Sequence, residues 1–132
     1  MKNVLVVGSG AREVAVSRKI SESKIKHALF CVSGLENPQI KSLCADYFVC
    51  PLSQIKNICE YALLQKIDLV FIGPENPLAD GIVNELEAVG ISCVGPKKEV
   101  AMIETSKAFA RNIIEGCAPE KNPKRREFKS LV

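Results

Sequence analysis

A short glycine-containing segment offers the clearest opportunity for chemistry in this sequence. Gly8 and Gly10 follow four apolar residues, and Arg12 and Glu13 come directly after them. Glycine permits a tight turn and lets backbone N–H groups come close to a ligand. If a helix begins here, its unpaired N–H groups and positive dipole end favour an anion, and arginine adds forked donors that suit phosphate. The segment therefore predicts a phosphate site.

The same segment contains only half of a dinucleotide-binding fingerprint. G-x-G-x-x-G would place a third glycine where Glu13 stands. An acid that would hold a ribose hydroxyl is also missing, because Glu36 is the nearest one and lies past the predicted end of the second strand. These departures favour a phosphate-bearing small molecule over NAD(P). An NAD(P)-binding redox domain and a ligand-free strand–turn–helix corner stay open as alternatives.

A second loop, residues 73–77, also follows an apolar run and holds Glu75 between Pro74 and Pro77. The prolines restrict the backbone, and a rigid carboxylate suits sugar hydroxyls or an amine. A solvated loop acid is an equally good interpretation. The sequence contains no Ser/His/Asp combination, no Cys/His pair near these loops and no carboxylate cluster suited to a metal. We therefore predict no catalytic residue and no metal ligand in this chain.

Apolar runs alternate with helix-period segments along the chain. The runs predict five strands, at residues 2–7, 27–32, 47–49, 67–72 and 91–94. This alternation predicts an α/β fold, a Rossmann-like, doubly wound parallel sheet of about five strands in the order 3-2-1-4-5. The first and fourth strands are then neighbours at the switch point, where ligands bind at the carboxyl ends of the strands. The two loops should therefore meet at one site.

Helical periodicity predicts the side chains that the helices bury. Ser53 is a predicted N-cap, and a continuous helix is predicted over residues 78–89 with Gly90 at its end. Either Ser106 or Thr105 is predicted as an internal cap of the last helical segment. The predicted buried positions include Val14, Ala15 and Ile20 in the first helix, Ile55, Ile58, Cys59, Ala62 and Leu63 in the third, and Leu78, Ile82, Leu86 and Val89 in the next.

Composition favours a single domain of ordinary type. The 132 residues are 47% hydrophobic, no apolar stretch reaches membrane-spanning length, and the amino terminus has no signal-peptide pattern. Six cysteines without C-x-x-C spacing and a single histidine do not make a zinc set, and they favour a reducing, cytoplasmic location. We expect no membrane partner.

The net charge of +3 comes entirely from the carboxyl-terminal tail. Residues 1–117 hold thirteen basic and thirteen acidic side chains, whereas residues 118–132 hold five and two. We interpret residues 1–117 as the folded domain and 118–132 as a basic linker. Nucleic acid is not an expected partner, because residues 1–117 have no excess of basic side chains. A non-catalytic interaction module that uses this tail stays open.

Four motifs, in this order and spacing, resemble the phosphoribosylamine–glycine ligase (glycinamide ribonucleotide synthetase) family over about residues 1–115. They are Val4-Leu-Val-Val-Gly-Ser-Gly-Ala-Arg-Glu13, Asp68-Leu-Val-Phe-Ile-Gly-Pro-Glu-Asn-Pro-Leu78, Gly95-Pro96 and Ser106-Lys-Ala-Phe109. The resemblance implies the Rossmann-like, pre-ATP-grasp N-terminal domain of a ligase of de novo purine biosynthesis. That enzyme joins glycine to 5-phosphoribosylamine with ATP and Mg²⁺. Another ATP-grasp ligase's N-terminal domain is a further alternative.

By position, the resemblance implies that Gly8, Gly10, Arg12 and Glu13 line the phosphoribosylamine site with Glu75 opposite. It also implies that the expected partners are this small-molecule substrate and the ATP-grasp domains of the same full-length chain. These 132 residues are then expected to be an inactive fragment that binds no cofactor by itself.

The sequence departs from the family pattern near the same site. Ala11 replaces the second of two paired glycines, and Val14 replaces a histidine. The loop after the second strand also differs, and Gly34 and Asn37 are its remaining candidates for substrate contact. Lys107, in the Ser-Lys-x-Phe element, is implied to lie toward the nucleotide and the next domain.

Overall fold

Five parallel strands form the centre of the computed structural model, which describes residues 1–126 and 128. The order is β3-β2-β1-β4-β5, and the predicted fold class and strand order are therefore confirmed. β1 pairs with β2 on one side and with β4 on the other, so the switch point lies beside it. The strands are β1 (Lys2–Val7), β2 (His27–Ser33), β3 (Asp46–Val49), β4 (Leu69–Ile72) and β5 (Ser92–Val94).

Helices connect the strands and cover the sheet. Their bounds are α1 (Ala11–Ser21), α2 (Pro38–Lys41), α3 (Ile55–Leu64), α4 (Glu75–Asp80), α5 (Ile82–Ala88), α6 (Lys98–Thr105) and α7 (Lys107–Cys117), followed by a 3₁₀ turn at Pro119–Lys121. Of the helices in the described residues, none is both long enough and apolar enough to span a bilayer.

The continuous apolar run of β1 is buried because its side chains pack into the hydrophobic clusters on both faces of the sheet. Leu5 and Val7 belong to the larger core cluster, which includes Ile58, Ala62, Ile82 and Leu86 from α3 and α5. Val4 and Val6 point to the other face and pack with Leu29 of β2. Successive side chains of a strand alternate between faces, so a strand covered on both sides has no polar positions.

The buried side of α1 differs from the prediction. Glu13 and Ser17 are its buried residues, whereas Val14 and Ile20 are half-buried and Ala15 is exposed. The predicted burial of Ala15 is therefore wrong. The helix turns a polar side toward the sheet because its first turn lies against the end of β4, where the Glu13 side chain packs on Gly73.

The segment predicted as one helix over residues 78–89 forms two helices. Gly81 separates α4 from α5 with a φ of 93°, a conformation that side chains other than glycine rarely adopt. The break lets α4 pack against α6 while α5 packs against α3. Val89 follows the end of α5 and is exposed, so its predicted burial is wrong, whereas Gly90 has the predicted left-handed conformation with a φ of 82°.

Two predicted helix caps have different outcomes. Ser53 does not cap α3, because a turn from Pro51 to Gln54 moves the helix start to Ile55. Ser106 does cap α7, since its hydroxyl accepts a hydrogen bond from the Phe109 N–H at 3.3 Å. In α3, Leu63 is half exposed, contrary to its predicted burial.

The domain boundary at residue 117 stays a prediction. After it, the Asn122 side chain donates to the Arg111 carbonyl of α7 at 3.1 Å. Glu127 and residues 129–132 of the predicted basic linker lie outside the described residues.

Leu5→Ala tests the central position of β1. Leu5 is fully buried in the larger cluster, so we expect its truncation to lower the free energy of unfolding by about 2–5 kcal/mol. Urea unfolding followed by circular dichroism measures this. Leu64→Ala is the matched control, because that side chain is 77% exposed and should change stability by less than about 0.5 kcal/mol. Equal losses in the two variants would contradict the assignment.

Candidate functional site

Two loops meet at the carboxyl ends of β1 and β4, as the sequence predicted. We call residues 8–13 the glycine loop and residues 73–77 the Glu75 loop. The Arg12 guanidinium donates from Nη1 to the Gly73 carbonyl at 2.6 Å, and the Gly73 N–H donates to the Val7 carbonyl at 3.2 Å. Both loops line one cavity of about 460 Å³, whose walls are Gly10, Ala11, Arg12, Glu13, Gly73, Pro74, Glu75 and Asn76.

Close approach of the two loops requires glycine on both sides. Gly8 has a φ of 111°, and a Cβ atom there would lie 2.9 Å from Cδ and Cγ of Pro74. At Gly73, a Cβ atom would lie 1.8 Å from Oε1 of Glu13. A side chain at either position would force the loops apart.

Glu13 is the buried centre of this contact. Its side chain is only 5% exposed, and Oε2 accepts a hydrogen bond from the Gly10 N–H at 2.6 Å. A dinucleotide fingerprint has glycine at this helix position so that helix and strand can pack closely. Here the glycine that allows close packing is Gly73, on the opposite loop. Glu13 therefore closes the glycine loop and forms a wall of the cavity.

The first turn of α1 presents donors toward the cavity. The first N–H groups of a helix have no partner inside it, which at this end includes those of Ala11 and Arg12. The Gly10 N–H is already bonded to Glu13. Arg12 is exposed and uses one of its five N–H donors on Gly73, so the others are available to a ligand. The arrangement suits an anion.

Glu75 lies on the opposite wall of the same cavity. It is the first residue of α4 and is exposed, and the buried Pro77 lies two residues later. Pro74 precedes it with extended backbone angles. The carboxylate thus stands on a backbone of restricted mobility, in the cavity that Arg12 also lines. This geometry provides an acceptor for hydroxyl or amine donors.

The loop between β2 and α2 contacts the glycine loop through Asn37. Its side-chain Nδ2 donates to the Ser9 carbonyl at 2.8 Å, while its Oδ1 accepts from the Gln39 N–H at 3.0 Å and caps α2. A second cavity lies between these loops, and Asn37, Val14 and Ala11 line it. Gly10 and Ala11 line both cavities, so the start of α1 separates the two.

The remaining predicted site residues lie away from these cavities. Gly34 is exposed, lines neither cavity, and has no atoms near the position that a Cβ would take. Lys107 is the exposed first residue of α7 and also lines neither cavity. Gly8 also lines neither cavity. Ligand contacts stay predictions for all the proposed site residues, which are Gly8, Gly10, Arg12, Glu13, Gly34, Asn37, Glu75 and Lys107.

The described residues show no cluster of metal-ligand side chains. Among them, no three histidine, cysteine or acidic side chains are grouped as metal ligands would be. Three of the thiols are poor nucleophiles at neutral pH, because burial raises the pKa of Cys31 to about 12 and those of Cys44 and Cys93 to about 11.

Sequence reasoning missed two residues that shape this site. Gly73 receives the Glu13 side chain, and its signal was a glycine directly before proline at the end of an apolar strand. Tyr47 of β3 hydrogen-bonds the loop that carries Asn37. A tyrosine in a short apolar strand has no distinguishing local pattern, so only the tertiary structure reveals it.

Comparison with known sequences finds one matching family model and several similar proteins. The model of the family described as phosphoribosylglycinamide synthetase, N domain, matches residues 2–104. The phosphoribosylamine–glycine ligase of Methanococcoides burtonii is 43% identical over 121 residues, or 92% of this chain, and that of Thermococcus kodakarensis is 42% identical over 126 residues, or 96%. The chain spans about 28% of the length of each of these relatives.

Solved structures share the fold at low sequence identity. The phosphoribosylglycinamide synthetase of Anaerococcus prevotii matches with a TM-score of 0.65 and 11% identity, covering 87% of this chain and 28% of that one. N5-carboxyaminoimidazole synthetase from Staphylococcus aureus, complexed with ADP, matches with a TM-score of 0.68 and 11% identity, covering 89% and 30%. These likenesses establish the fold, and the family match over residues 2–104 establishes more: the chain belongs to the phosphoribosylglycinamide synthetase N-domain family.

Proposed function

We propose that this chain is the phosphoribosylamine-binding domain of an ATP-dependent carbon–nitrogen ligase that joins glycine to 5-phosphoribosylamine. One observation carries the proposal: the start of α1, with Arg12, and Glu75 line a single cavity at the switch point. The names of the 42–43% identical relatives support the same reaction.

The two walls of the cavity have complementary tasks. The N–H groups at the start of α1 and the Arg12 guanidinium receive the 5-phosphate, because helix dipole and fixed charge act together there. The Glu75 carboxylate accepts hydrogen bonds from ribose hydroxyls. The buried Glu13 side chain holds the glycine loop in the conformation that exposes these donors. A rigid site of this kind binds without first ordering its loops.

ATP and Mg²⁺ belong to another part of the full-length enzyme in this proposal. Structural relatives include an ADP complex, which supports nucleotide use by such enzymes. In this proposal, this chain contributes sugar-phosphate binding, and ligation is assigned to the full-length enzyme. Lys107 is proposed to face the nucleotide-binding portion, and the enzyme is proposed to act in the cytoplasm.

A redox domain that binds NAD(P) is disfavoured by Glu13. Its carboxylate occupies the closest approach between helix and loop and consumes the Gly10 N–H, which is one of the donors that a pyrophosphate would need. Titration calorimetry with ribose 5-phosphate, a stable analogue of phosphoribosylamine, and with NADH separates the two functions. Heat with the sugar phosphate alone supports the proposal, whereas heat with NADH alone, or with neither ligand, contradicts it.

Arg12→Ala tests the phosphate end of the site. Loss of one charge-assisted contact should weaken ribose 5-phosphate binding by about 10-fold to 100-fold in calorimetry. Arg18→Ala is the matched control, because it removes the same charge from the exposed last turn of α1 and should leave affinity unchanged. Equal affinities for wild-type protein and Arg12→Ala would exclude Arg12 from the site.

Glu75→Gln tests the sugar end of the site separately. We expect weaker ribose 5-phosphate binding but unchanged binding of inorganic phosphate, because only the sugar reaches the carboxylate. Phosphorus NMR line broadening measures both ligands. Glu85→Gln, an exposed acid on α5, is the control. Parallel changes in the two affinities would show that Glu75 acts on the phosphate instead.

A further inference from the structure

Tyr47 lies outside the cavity but connects to its glycine loop. In the sheet, Tyr47 of β3 is paired with Cys31 of β2, which is paired in turn with Val6 of β1. The tyrosine ring therefore lies on the same sheet face as Val6, the face that α1 and α2 cover. From there the phenol reaches the loop between β2 and α2. The Asn37 N–H donates to Tyr47 Oη at 3.1 Å, and Tyr47 Oη lies 3.0 Å from the Leu35 carbonyl oxygen.

Ser33 completes this cluster at the end of β2. Its hydroxyl is fully buried, lies 2.6 Å from Tyr47 Oη and also donates to the Leu35 carbonyl. The hydroxyl protons of Ser33 and Tyr47 thus link three oxygen atoms, those of the two hydroxyls and of the Leu35 carbonyl. The Tyr47 oxygen also accepts a hydrogen bond from the Asn37 N–H. Burial raises the pKa of Tyr47, so the phenol keeps its proton at neutral pH.

Apart from an exposed ion pair between Glu36 and Lys41, the loop that these bonds hold has little else to order it. Leu35 is 78% exposed and Glu36 is exposed, so the tip of the loop buries almost no apolar surface. Asn37, at its end, donates to the Ser9 carbonyl at 2.8 Å. A continuous series of hydrogen bonds therefore runs from β3, through the β2–α2 loop, to the glycine loop.

The geometry points to Tyr47 as a positioning residue that holds the glycine loop through Asn37 without touching the ligand. The inference rests on the proposed function for the identity of that ligand, a sugar phosphate. The role of Tyr47 in holding the glycine loop does not depend on which ligand binds. A loop held in the binding conformation avoids the ordering cost that a mobile loop adds to each binding event.

Tyr47→Phe removes the hydroxyl and keeps the ring, and Tyr61→Phe is its matched control. Tyr61 is the other tyrosine of the chain; its hydroxyl donates to Asp46 at 2.9 Å, at the opposite end of β3 from the β2–α2 loop. Amide hydrogen exchange and amide chemical shifts report the loops by NMR, and calorimetry reports ribose 5-phosphate affinity.

We expect Tyr47→Phe to speed exchange of the Asn37 amide by about threefold to tenfold, the equivalent of one neutral hydrogen bond. The Ser9 and Gly10 amide resonances should shift, and ribose 5-phosphate should bind about threefold to tenfold more weakly. Tyr61→Phe should leave the loop amides and the affinity as in the wild-type protein, even where it lowers thermal stability.

Asn37→Ser distinguishes positioning from general destabilisation. Serine keeps a neutral cap for α2 but removes the amide donor to Ser9. If Tyr47 acts through Asn37, the double variant should bind ribose 5-phosphate no more weakly than Asn37→Ser alone. Additive losses in the double variant would overturn the inference.

Two further results would overturn it: unchanged Ser9 and Gly10 resonances in Tyr47→Phe, or shifted resonances with unchanged affinity. Absence of ribose 5-phosphate binding by the wild-type protein would instead contradict the proposed function. The exchange and chemical-shift comparison of Tyr47→Phe with Tyr61→Phe then decides by itself whether Tyr47 positions the glycine loop.

Discussion

The contact of the Glu13 side chain with Gly10 and Gly73 is the constraint on which the rest of the site depends. Burying a carboxylate without partners costs roughly several kcal/mol. Here the cost is offset by the Gly10 N–H, at 2.6 Å, and by the positive end of the α1 dipole. Because the carboxylate fills the space between two loops, only glycine fits at residue 73. One buried acid thus fixes both loops and the start of α1.

This arrangement has an electrostatic consequence for an anionic ligand. A negative side chain buried at a helix start reduces the favourable potential that the dipole offers to a phosphate. Arg12, the neighbouring residue, restores positive charge at the mouth of the cavity, and its bond to the Gly73 carbonyl holds the guanidinium in place. The Arg12-Glu13 pair therefore combines a buried structural charge with an exposed charge that is available to the ligand.

Sequence patterns predicted those features that depend on burial along whole strands. The apolar runs of β1 and β4 lie at the centre of the sheet, and the crossover rules correctly predict that Gly10 and Glu75 lie at one edge. Predictions were wrong where tertiary contacts outweigh local periodicity. Gly81 interrupts a helix because α4 and α5 have different partners. α1 buries Glu13 rather than Ala15 because the Glu13 side chain packs on Gly73, directly after β4. Contacts between distant side chains have no local pattern to detect.

Three contacts hold the glycine loop against the two loops beside it. Arg12 bonds to the carbonyl of Gly73, the Glu13 side chain packs on the same residue, and Asn37 bonds to the Ser9 carbonyl from the other side. None of these contacts uses the first N–H groups of α1, which are left to meet a ligand. A preorganised phosphate site requires free N–H donors that rigid neighbouring contacts hold in place. Arg12 contributes to both the donors and the contacts, since its remaining donors face the ligand, whereas substitution of Gly73 should alter affinity without removing a ligand contact.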